Sequence, residues 1–455
     1  MTPRRYNRWQ TGAIILPVFL LLQLAAPRLL ASVSTNHFVF AHYMVCYDDY
    51  GETLAGFEQD ILDAQAAGVD GFALNCGEWV GPDWYYQTNV NLMYQAAEQL
   101  GTGFKLFFSV DETNVTDIVA MISSHASSSN SFRYQGKLVV STSGQSSVDW
   151  QNSVFPALAN EGISVFFVPY FLRAPGTPMN YASISNVVAE YNGILNGLFY
   201  FAAGTISTVT NGNASYEQAC QSGGKLFMGG YSPTYWGNAQ PAAGRPYFES
   251  QGGEGTVAQW MWIITNQPDW VEIVTWNDFG ESTYSTPINN PGQYESPAQT
   301  PYRYCHSGYL ELSKRYIAWY KTGQEPPRNQ DALYYFYRIH STNLVASNDI
   351  PVTAFNGPVA DVIYNTLFLT APAQLEITSG TNLVTNSLAA GLQQLETPFA
   401  PGPQIFNLRR NGALVMTVSG PPILSSITNY DYFPASGYGY GLPAPTNFHV
   451  VTPPN

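Results

Sequence analysis

The sequence is poor in charge. Only 11% of its 455 residues are Asp, Glu, Lys or Arg, against about a quarter in an average globular protein. The 18 basic residues are outnumbered by 32 acidic ones, which leaves a net charge of -14. Such a chain is repelled by phosphate backbones, and it has no basic stripe to offset that repulsion. We therefore expect no nucleic-acid partner.

Several motifs that carry chemistry are also missing. The chain has no GxGxxG after its first predicted strand, no P-loop, no HExxH and no GxSxG elbow. These absences argue against dinucleotide binding, P-loop phosphate binding and the usual zinc-protease and serine-hydrolase sites. The six histidines do not have the spacing of a metal site. We expect no metal and no cofactor.

Cysteines are few but even in number. Cys46, Cys76, Cys220 and Cys305 form no CxxC motif and have no histidine at zinc spacing. In an exported chain four cysteines permit two disulfides without fixing the pairing. We expect them to be structural and to form disulfide bonds.

Long apolar runs are confined to the N-terminus. Arg4, Arg5 and Arg8 precede the run AIILPVFLLLQLAA, and the small residues Ala31 and Ser32 follow it. This pattern predicts a signal peptide over 1–32, with an uncleaved N-terminal anchor as the alternative. Later segments are too short or too polar to span a bilayer. We expect a secreted monomer (periplasmic in a Gram-negative bacterium) without membrane contact after cleavage.

What the sequence does contain is a repeated pattern. From residue 36, short apolar β-rich runs alternate with helical stretches about eight times; FVFAHYMV (38–45), for example, is followed by TLAGFEQDILDAQAAG (53–68). Continuously apolar strands separated by helices are typical of a parallel sheet covered on both faces. The pattern predicts an α/β fold, a (β/α)8 TIM barrel over 33–325. An open doubly wound sheet is the alternative.

The character of the chain changes after the polar, Pro-containing linker at 322–330. The remainder contains strands and turns without a convincing helix. We predict a C-terminal all-β, sandwich-like accessory domain over 331–455. It would brace the barrel, with sugar binding as a second possible role.

The catalytic candidates lie at predicted strand ends, where the active site of a (β/α)8 barrel is built. The run VTWNDFGESTY (274–284) carries Asp278 and Glu281 after the eighth strand. A pair of carboxylates in an aromatic cleft is what glycoside hydrolysis requires. The structural alternative is a loop cap and a surface acid.

Other polar and aromatic residues at strand ends are predicted to bind substrate, because aromatic faces stack on sugar rings and polar groups bind hydroxyls. For Asp111 the structural alternative is part of a helix N-cap signal in SVDETN. The predicted substrate-binding residues are His42, Tyr43, Asn75, Asp111, Tyr231, Trp236, Trp276, Asn277 and Tyr284.

Five segments together resemble glycoside hydrolase family 71, the α-1,3-glucanases also called mutanases. They are VFAHYMVCYDDY, DILDAQAAGVDGFALNCGEW, GFKLFFSVDE, VEIVTWNDFGES and HSGYLELSKRYIAWYKTG, and they occur in the family's order through most of 37–325. The VEIVTWND-x-GES run is highly specific to the family. Family members commonly carry His where this chain has Thr283.

The resemblance implies an exported, endo-acting (β/α)8 enzyme that hydrolyses the polysaccharide α-1,3-glucan with inversion and without metal. It also implies that Asp278 and Glu281 are the catalytic pair. We assign Glu281 as general acid and Asp278 as general base, with the order open. Two alternatives remain: a hydrolase of another α-glycan such as α-mannan, and a non-catalytic carbohydrate-binding protein of the cell envelope.

Overall fold

The computed structural model describes residues 37–47, 49–81, 85–144, 147–171, 180–238, 244–288, 304–350, 352 and 354–441. The predicted signal peptide and the Pro-rich C-terminal end lie outside the described residues. Within these ranges, no helix has both the length and the apolarity needed to cross a membrane. The chain from Asn36 onward forms one compact unit.

The first part of this unit is a mixed α/β structure in which strands and helices alternate, as the sequence predicts. The parallel strands are β1 (Phe38–Met44), β2 (Gly71–Cys76), β3 (Lys105–Val110), β5 (Lys137–Thr142), β6 (Val165–Phe167), β7 (Gly197–Phe199), β8 (Leu226–Tyr231) and β11 (Trp270–Ile273), with a short antiparallel strand β4 (Arg133–Tyr134) beside β5. The helices are α1 (Leu54–Ala66), α2 (Tyr85–Leu100), α3 (Val115–Ser124), α4 (Phe155–Asn160), α5 (Tyr181–Glu190), α6 (Ile206–Gly223), α7 (Gly252–Asn266) and α8 (Ser307–Thr322).

The sheet is curled, so that the first and last parallel strands of the chain are neighbours. Its order is β4-β5-β3-β2-β1-β11-β8-β7, and β6 pairs with β5. The pairing of β1 with β11 sets Phe38 opposite Trp270. At the other end, Asn196 N donates to Phe167 O at 3.0 Å, and Phe199 N donates to Pro169 O at 3.0 Å. These two bonds link β7 to the end of β6.

Side chains alternate between the two faces of this sheet, as strand geometry requires. One face forms an apolar interior core to which all eight parallel strands or their ends contribute: Phe40, Ala73, Phe107, Val139, Val168, Phe199, Met228 and Trp270. The other face packs against the helices, and Phe72, Leu106 and Ile273 belong to that layer. Both faces are therefore buried, which explains the continuously apolar strand sequences.

Side-chain caps fix where helices begin. Thr53 Oγ1 accepts a hydrogen bond from Gly56 N at 3.1 Å before α1. Asn114 Oδ1 accepts from Thr116 N at 2.9 Å before α3. A cap of this kind stabilises a helix by about 1 kcal/mol. The cap in SVDETN is therefore Asn114, and Asp111 is not the capping residue.

The last part of the unit is all β in the described residues. Its strands are β12 (Ala332–Arg338), β14 (Val362–Leu369), β15 (Ala373–Ser379), β16 (Asn382–Leu388), β17 (Gly391–Pro398), β18 (Gly402–Arg410), β19 (Ala413–Ile423) and β20 (Pro434–Tyr440). They form two four-stranded antiparallel sheets, ordered β17-β14-β12-β20 and β16-β15-β18-β19. A small separate sheet joins β9 (Tyr235–Trp236), β10 (Tyr247–Phe248) and β13 (Phe355–Asn356), and so connects the chain after β8 to this region.

Strand β12 packs on both of its faces. Leu333 and Tyr335 belong to the core shared by the two antiparallel sheets. Tyr334 and Phe336 belong to the core that contains the helices. Gly308 of α8 lies so close to β20 that a Cβ atom there would be 2.9 Å from Gly437 N. The β region is therefore packed tightly against the helical layer.

The disulfide prediction is wrong for this structure. Cys46, Cys76, Cys220 and Cys305 are all free thiols. Burial raises the pKa of Cys76 and of Cys220 to about 12, which keeps both in the unreactive thiol form. An even number of cysteines permits pairing, but a bond forms only where the two side chains meet with suitable geometry.

A buried acid of helix α1 connects the helix layer to the 274–284 segment. Asp60 of α1 is only 2% exposed and accepts hydrogen bonds from Tyr43 Oη at 2.9 Å and Trp276 Nε1 at 2.8 Å. Burial raises the pKa of Asp60 to about 7, although both hydrogen bonds lower it. Because this pKa lies above the unfolded value of 3.8, Asp60 favours folding most at low pH and loses that contribution as the pH rises through 7.

We expect Asp60→Asn to remove this pH dependence. Relative to the variant, the wild-type free energy of unfolding should fall between about pH 4 and pH 7 by up to roughly 4 kcal/mol. Urea unfolding at several pH values measures the difference. Glu58→Gln, on the same helix, is the control and should keep the wild-type slope. Parallel profiles for wild type and Asp60→Asn would contradict the prediction.

Candidate active site

A cavity of about 530 Å³ lies at the carboxyl ends of the parallel strands. Most of its lining residues come from strand ends and from the loops that follow them. The lining residues are His42, Met44, Asn75, Asp111, Ser143, Gly144, Tyr170, Tyr200, Phe201, Ala203, Thr208, Tyr235, Asp278 and Glu281.

The cavity floor continues the interior face of the sheet. His42 follows Phe40 of the apolar core by two residues, and Asn75 follows Ala73 in the same way. Because side chains two apart on a strand share a face, both point to the interior side. In the same way, Tyr170 follows Val168 by two residues and Phe201 follows Phe199 by two residues. The interior thus changes from apolar to polar and aromatic towards the carboxyl ends.

The turn after β11 positions the two catalytic candidates. Its ends are joined because Thr275 N donates to Thr283 O at 2.9 Å and their hydroxyls are 3.0 Å apart. Asp278 N donates to Thr275 Oγ1 at 2.8 Å. Glu281 N donates to Asp278 Oδ1 at 2.9 Å. This network brings both side chains to the cavity.

Asp278 is only 7% exposed. Burial raises its pKa to about 6, while backbone N–H groups of Glu281 and Gly280 and the charge of His42 act to lower it. A carboxylate that accepts backbone hydrogen bonds is held in one orientation and favoured in its ionised form. Asp278 therefore combines a pKa of about 6 with a fixed position at the cavity.

Glu281 lies across the same turn and is half-buried. Its Oε1 accepts a hydrogen bond from Tyr235 Oη at 3.0 Å, and its backbone oxygen accepts from Trp236 N at 2.8 Å. Both partners belong to β9. Burial, with a smaller contribution from the charge of Glu281, raises the pKa of Tyr170 to about 12. Glu281 is thus held between the β9 segment and the aromatic wall of the cavity.

The cavity contains a third acid. Asp111, just after β3, accepts a hydrogen bond from Asn75 Nδ2 at 3.4 Å. Burial raises the pKa of Cys46 to about 11, and the charges of Asp278 and Asp111 contribute to the increase. Both acids therefore act on the same thiol beside the cavity. No group of three His, Cys, Asp or Glu side chains within the described ranges is arranged to hold a metal ion.

The structure brings five of the eleven predicted site residues together. Asp278, Glu281, His42, Asn75 and Asp111 all line the cavity. The other six are no more than 1% exposed and lie outside its lining: Tyr43, Tyr231, Trp236, Trp276, Asn277 and Tyr284. The structure therefore does not bring these six side chains to the surface of this cavity.

Strand alternation accounts for two of these six residues. Tyr43 and Tyr231 belong to the core on the helix side of the sheet. Tyr43 donates to Asp60 on α1, and Tyr231 packs against Trp260 of α7 with ring centroids 5.1 Å apart. Each lies at a strand end, but on the face opposite to the cavity.

The other four residues hold loops in place. Asn277 accepts from Met44 N at 2.7 Å and donates to Met44 O at 3.0 Å, which joins the catalytic turn to the end of β1. Trp276 binds Asp60. Tyr284 stacks on His306 at 3.7 Å. Trp236 packs in a separate core that also contains Tyr284.

Sequence reasoning did not select most of the aromatic wall. Tyr170, Tyr200, Phe201 and Tyr235 line the cavity and were not among the predicted site residues. Counting in steps of two from the apolar core residues would have found Tyr170 and Phe201. Tyr235 offers no such signal, because its position depends on how β9 pairs with β10.

Two carboxylates at strand ends, in a cavity walled by aromatic rings, are the arrangement of a glycoside hydrolase. The sequence model of glycosyl hydrolase family 71 matches residues 35–438. The chain belongs to this family.

Characterised relatives are similar to the chain over most of its length. Glucan endo-1,3-alpha-glucosidase agn1 of Schizosaccharomyces pombe is 28% identical, over 93% of this chain and 99% of the relative. Mutanase Pc12g07500 of Penicillium rubens is 28% identical, over 92% of this chain and 94% of the relative. The ascus wall endo-1,3-alpha-glucanase of Schizosaccharomyces pombe is also 28% identical, over 86% and 95%.

Among solved structures, the GH99 endo-alpha-mannosidase from Bacteroides thetaiotaomicron is similar in fold. The two chains superpose with a TM-score of 0.50 at 12% identity, over 65% of this chain and 100% of the mannosidase. At this identity the likeness concerns the fold alone.

Tyr235→Phe tests the contact between Tyr235 and Glu281. A side-chain hydrogen bond contributes about 0.5–1.5 kcal/mol, so we expect the rate of glycoside hydrolysis to fall about two- to tenfold with the fold unchanged. Initial rates of reducing-end release measure the effect. Tyr440→Phe is a matched control, because Tyr440 Oη donates to Glu311 at 3.0 Å on the surface. Equal losses in both variants would refute a specific role for Tyr235.

Proposed function

We propose that this protein is a secreted, endo-acting hydrolase of α-1,3-glucan that works with inversion. The observation that carries the proposal is the single turn that brings Asp278 and Glu281 to one aromatic-walled cavity. The names of the relatives, glucan endo-1,3-alpha-glucosidase and mutanase, support the linkage. The low charge of the chain suits a neutral polysaccharide, which offers no charge to recognise.

The proposal includes a closed (β/α)8 barrel that carries the site. It is supported by the hydrogen bonds that link β7 to the end of β6 and by the interior core to which all eight strands contribute. We further propose that residues 1–32 direct export. The β region from residue 331 would be an accessory domain that braces α7 and α8.

In this mechanism Asp278 is the general base. It accepts a proton from a water molecule, whose oxygen attacks the anomeric carbon from the face opposite to the leaving oxygen. The C–O bond of the α-1,3 linkage breaks, and Glu281 as general acid gives its proton to the departing O3 oxygen. Attack from the opposite face turns an α linkage into a β product. Inversion needs the two carboxyl groups about 6.5–9.5 Å apart, so that water fits between them.

The aromatic wall would position the sugar. Tyr170, Tyr235 and Phe201 line the cavity together with the catalytic pair. Such rings offer apolar faces for stacking on sugar rings, and the tyrosine hydroxyls can donate hydrogen bonds. Asn75 and Asp111, on the side formed by β2 and β3, would bind sugar hydroxyls.

Substitution of each acid tests the pair and assigns the two roles. Asp278→Asn and Glu281→Gln should each reduce hydrolysis of α-1,3-glucan by at least about a thousandfold, with unchanged circular dichroism, because an acid–base residue contributes about 10²–10⁴-fold and both are needed in one step. On an α-1,3-linked oligosaccharyl fluoride, whose leaving group needs no proton, Glu281→Gln should recover activity and Asp278→Asn should not. Recovery in the opposite variant would reverse the assignment.

Glu311→Gln is the matched control, since Glu311 is a carboxylate of α8 that pairs with Lys314 away from the cavity. NMR of the first products should show the β anomer. A panel that adds α-mannan and other α-glycans tests the linkage. Wild-type rates in either acid variant, or binding without hydrolysis across the panel, would overturn the proposed function.

A further inference from the structure

An acid that the proposed mechanism does not use lies in contact with the cavity-lining His42. Glu272 of β11 is fully buried, and its Oε1 lies 2.8 Å from Nδ1 of His42 on β1. His42 is also fully buried, yet it lines the cavity together with Asp278. Its second ring nitrogen, Nε2, has no hydrogen-bond partner. This nitrogen is therefore the polar atom that His42 can offer to a ligand.

Burial of this pair does not favour the stability of the fold. Glu272 lies on the interior face of the sheet, two residues from Trp270 and two from Val274, both of the apolar core. Removing two charged groups from water costs several kcal/mol per ion, which their mutual attraction often fails to recover. Burial raises the pKa of Glu272, and the contact with His42 lowers it. A pair held at such a cost, with one member lining the cavity, points to a function.

The hydrogen bond fixes the orientation of the imidazole. Nδ1 is engaged by Glu272 Oε1 at 2.8 Å. Nε2 is therefore the ring nitrogen left to hydrogen-bond with a ligand. Without the carboxylate, the ring loses this anchor.

We propose that Glu272 is a positioning residue that holds His42 as a hydrogen-bond partner towards the sugar unit at the catalytic pair. The inference rests on the proposed function. His42 Nε2 would hydrogen-bond with a hydroxyl of the sugar whose linkage is cleaved. The position of His42 beside Asp278 would also favour the ionised base, because His42 acts to lower the pKa of Asp278.

The groups that face this pair define its electrostatic environment. Asp278 and Glu281 come from the turn after β11, Asp111 from the end of β3, and Tyr170 from the end of β6. The ring of Phe201, at 5.1 Å from the His42 ring, covers one side of the imidazole. His42 is the only basic side chain among the cavity-lining residues of the described ranges. Loss of its charge would therefore leave Asp278 surrounded by acids.

Glu272→Gln tests the positioning role, because it keeps the shape of the side chain and removes the charge. We expect kcat on α-1,3-glucan to fall at least about tenfold with a smaller change in KM, and the acidic limb of the pH profile to move up by about half a pH unit or more. Glu272→Asp, which keeps a carboxylate, should recover part of the rate. An unchanged acidic limb in Glu272→Gln would overturn the proposal.

A double-mutant cycle separates an effect through His42 from a general loss of packing. If Glu272 acts through His42, the double variant Glu272→Gln/His42→Phe should be no slower than His42→Phe alone. If the rate losses of the two single variants add in the double variant, the proposal is contradicted. This criterion also applies if Glu272→Gln alone is unstable. Glu249→Gln is the matched control, since Glu249 is a buried acid paired with Arg338 at 2.6 Å outside this cavity. It should lower thermal stability and leave the acidic limb in place.

These outcomes remain distinct from those of the proposed function. If Asp278→Asn keeps wild-type activity, the catalytic assignment fails whatever the Glu272 variants do. If Asp278→Asn is inactive and Glu272→Gln has the wild-type pH profile, only the positioning role fails.

Discussion

The site depends on the alternation of side chains along the parallel strands. All eight strands or their ends place an apolar side chain in one interior core, and His42, Asn75, Tyr170 and Phe201, the next inward positions on four of them, line the cavity. His42, Asn75 and Glu272 share this face because each lies two residues from a core residue. A shift of one residue would move all of them into the helix layer. The apolar layer therefore determines which strand-end residues can reach a substrate.

The catalytic turn adds what the strands cannot supply. Thr275 and Thr283 join the ends of the turn through backbone and hydroxyl contacts, and Asn277 ties it to the end of β1. Thr283 is fully buried and does not line the cavity. Thr283 thus supports the turn that carries the two carboxylates.

The order of elements and the presence of Asp278 and Glu281 at one cavity are easier to predict from the sequence than the faces to which strand residues point. Eight βα repeats follow from apolar periodicity, and Asp278 with Glu281 follows from a dense local motif. Tyr43 and Tyr231 were expected in the site because they end strands, but their side chains point to the helices. Glu272 was missed because it lies within an apolar run. Tyr235 was missed because β9 forms only when distant segments pair.

Buried titratable groups give stability and activity different pH dependences. Burial raises the pKa of Asp60 to about 7 and that of Asp278 to about 6, so both favour the folded state most in acid and less as the pH rises. Burial lowers the pKa of His306 to about 3 and that of His125 to about 4, so both stabilise the fold above about pH 6.5 and lose that contribution as the pH falls. These opposed slopes partly cancel in the free energy of unfolding. In the proposed mechanism, activity requires the ionised form of Asp278 alone. The acidic limb of the rate profile should therefore report Asp278 and its neighbours more directly than it reports unfolding.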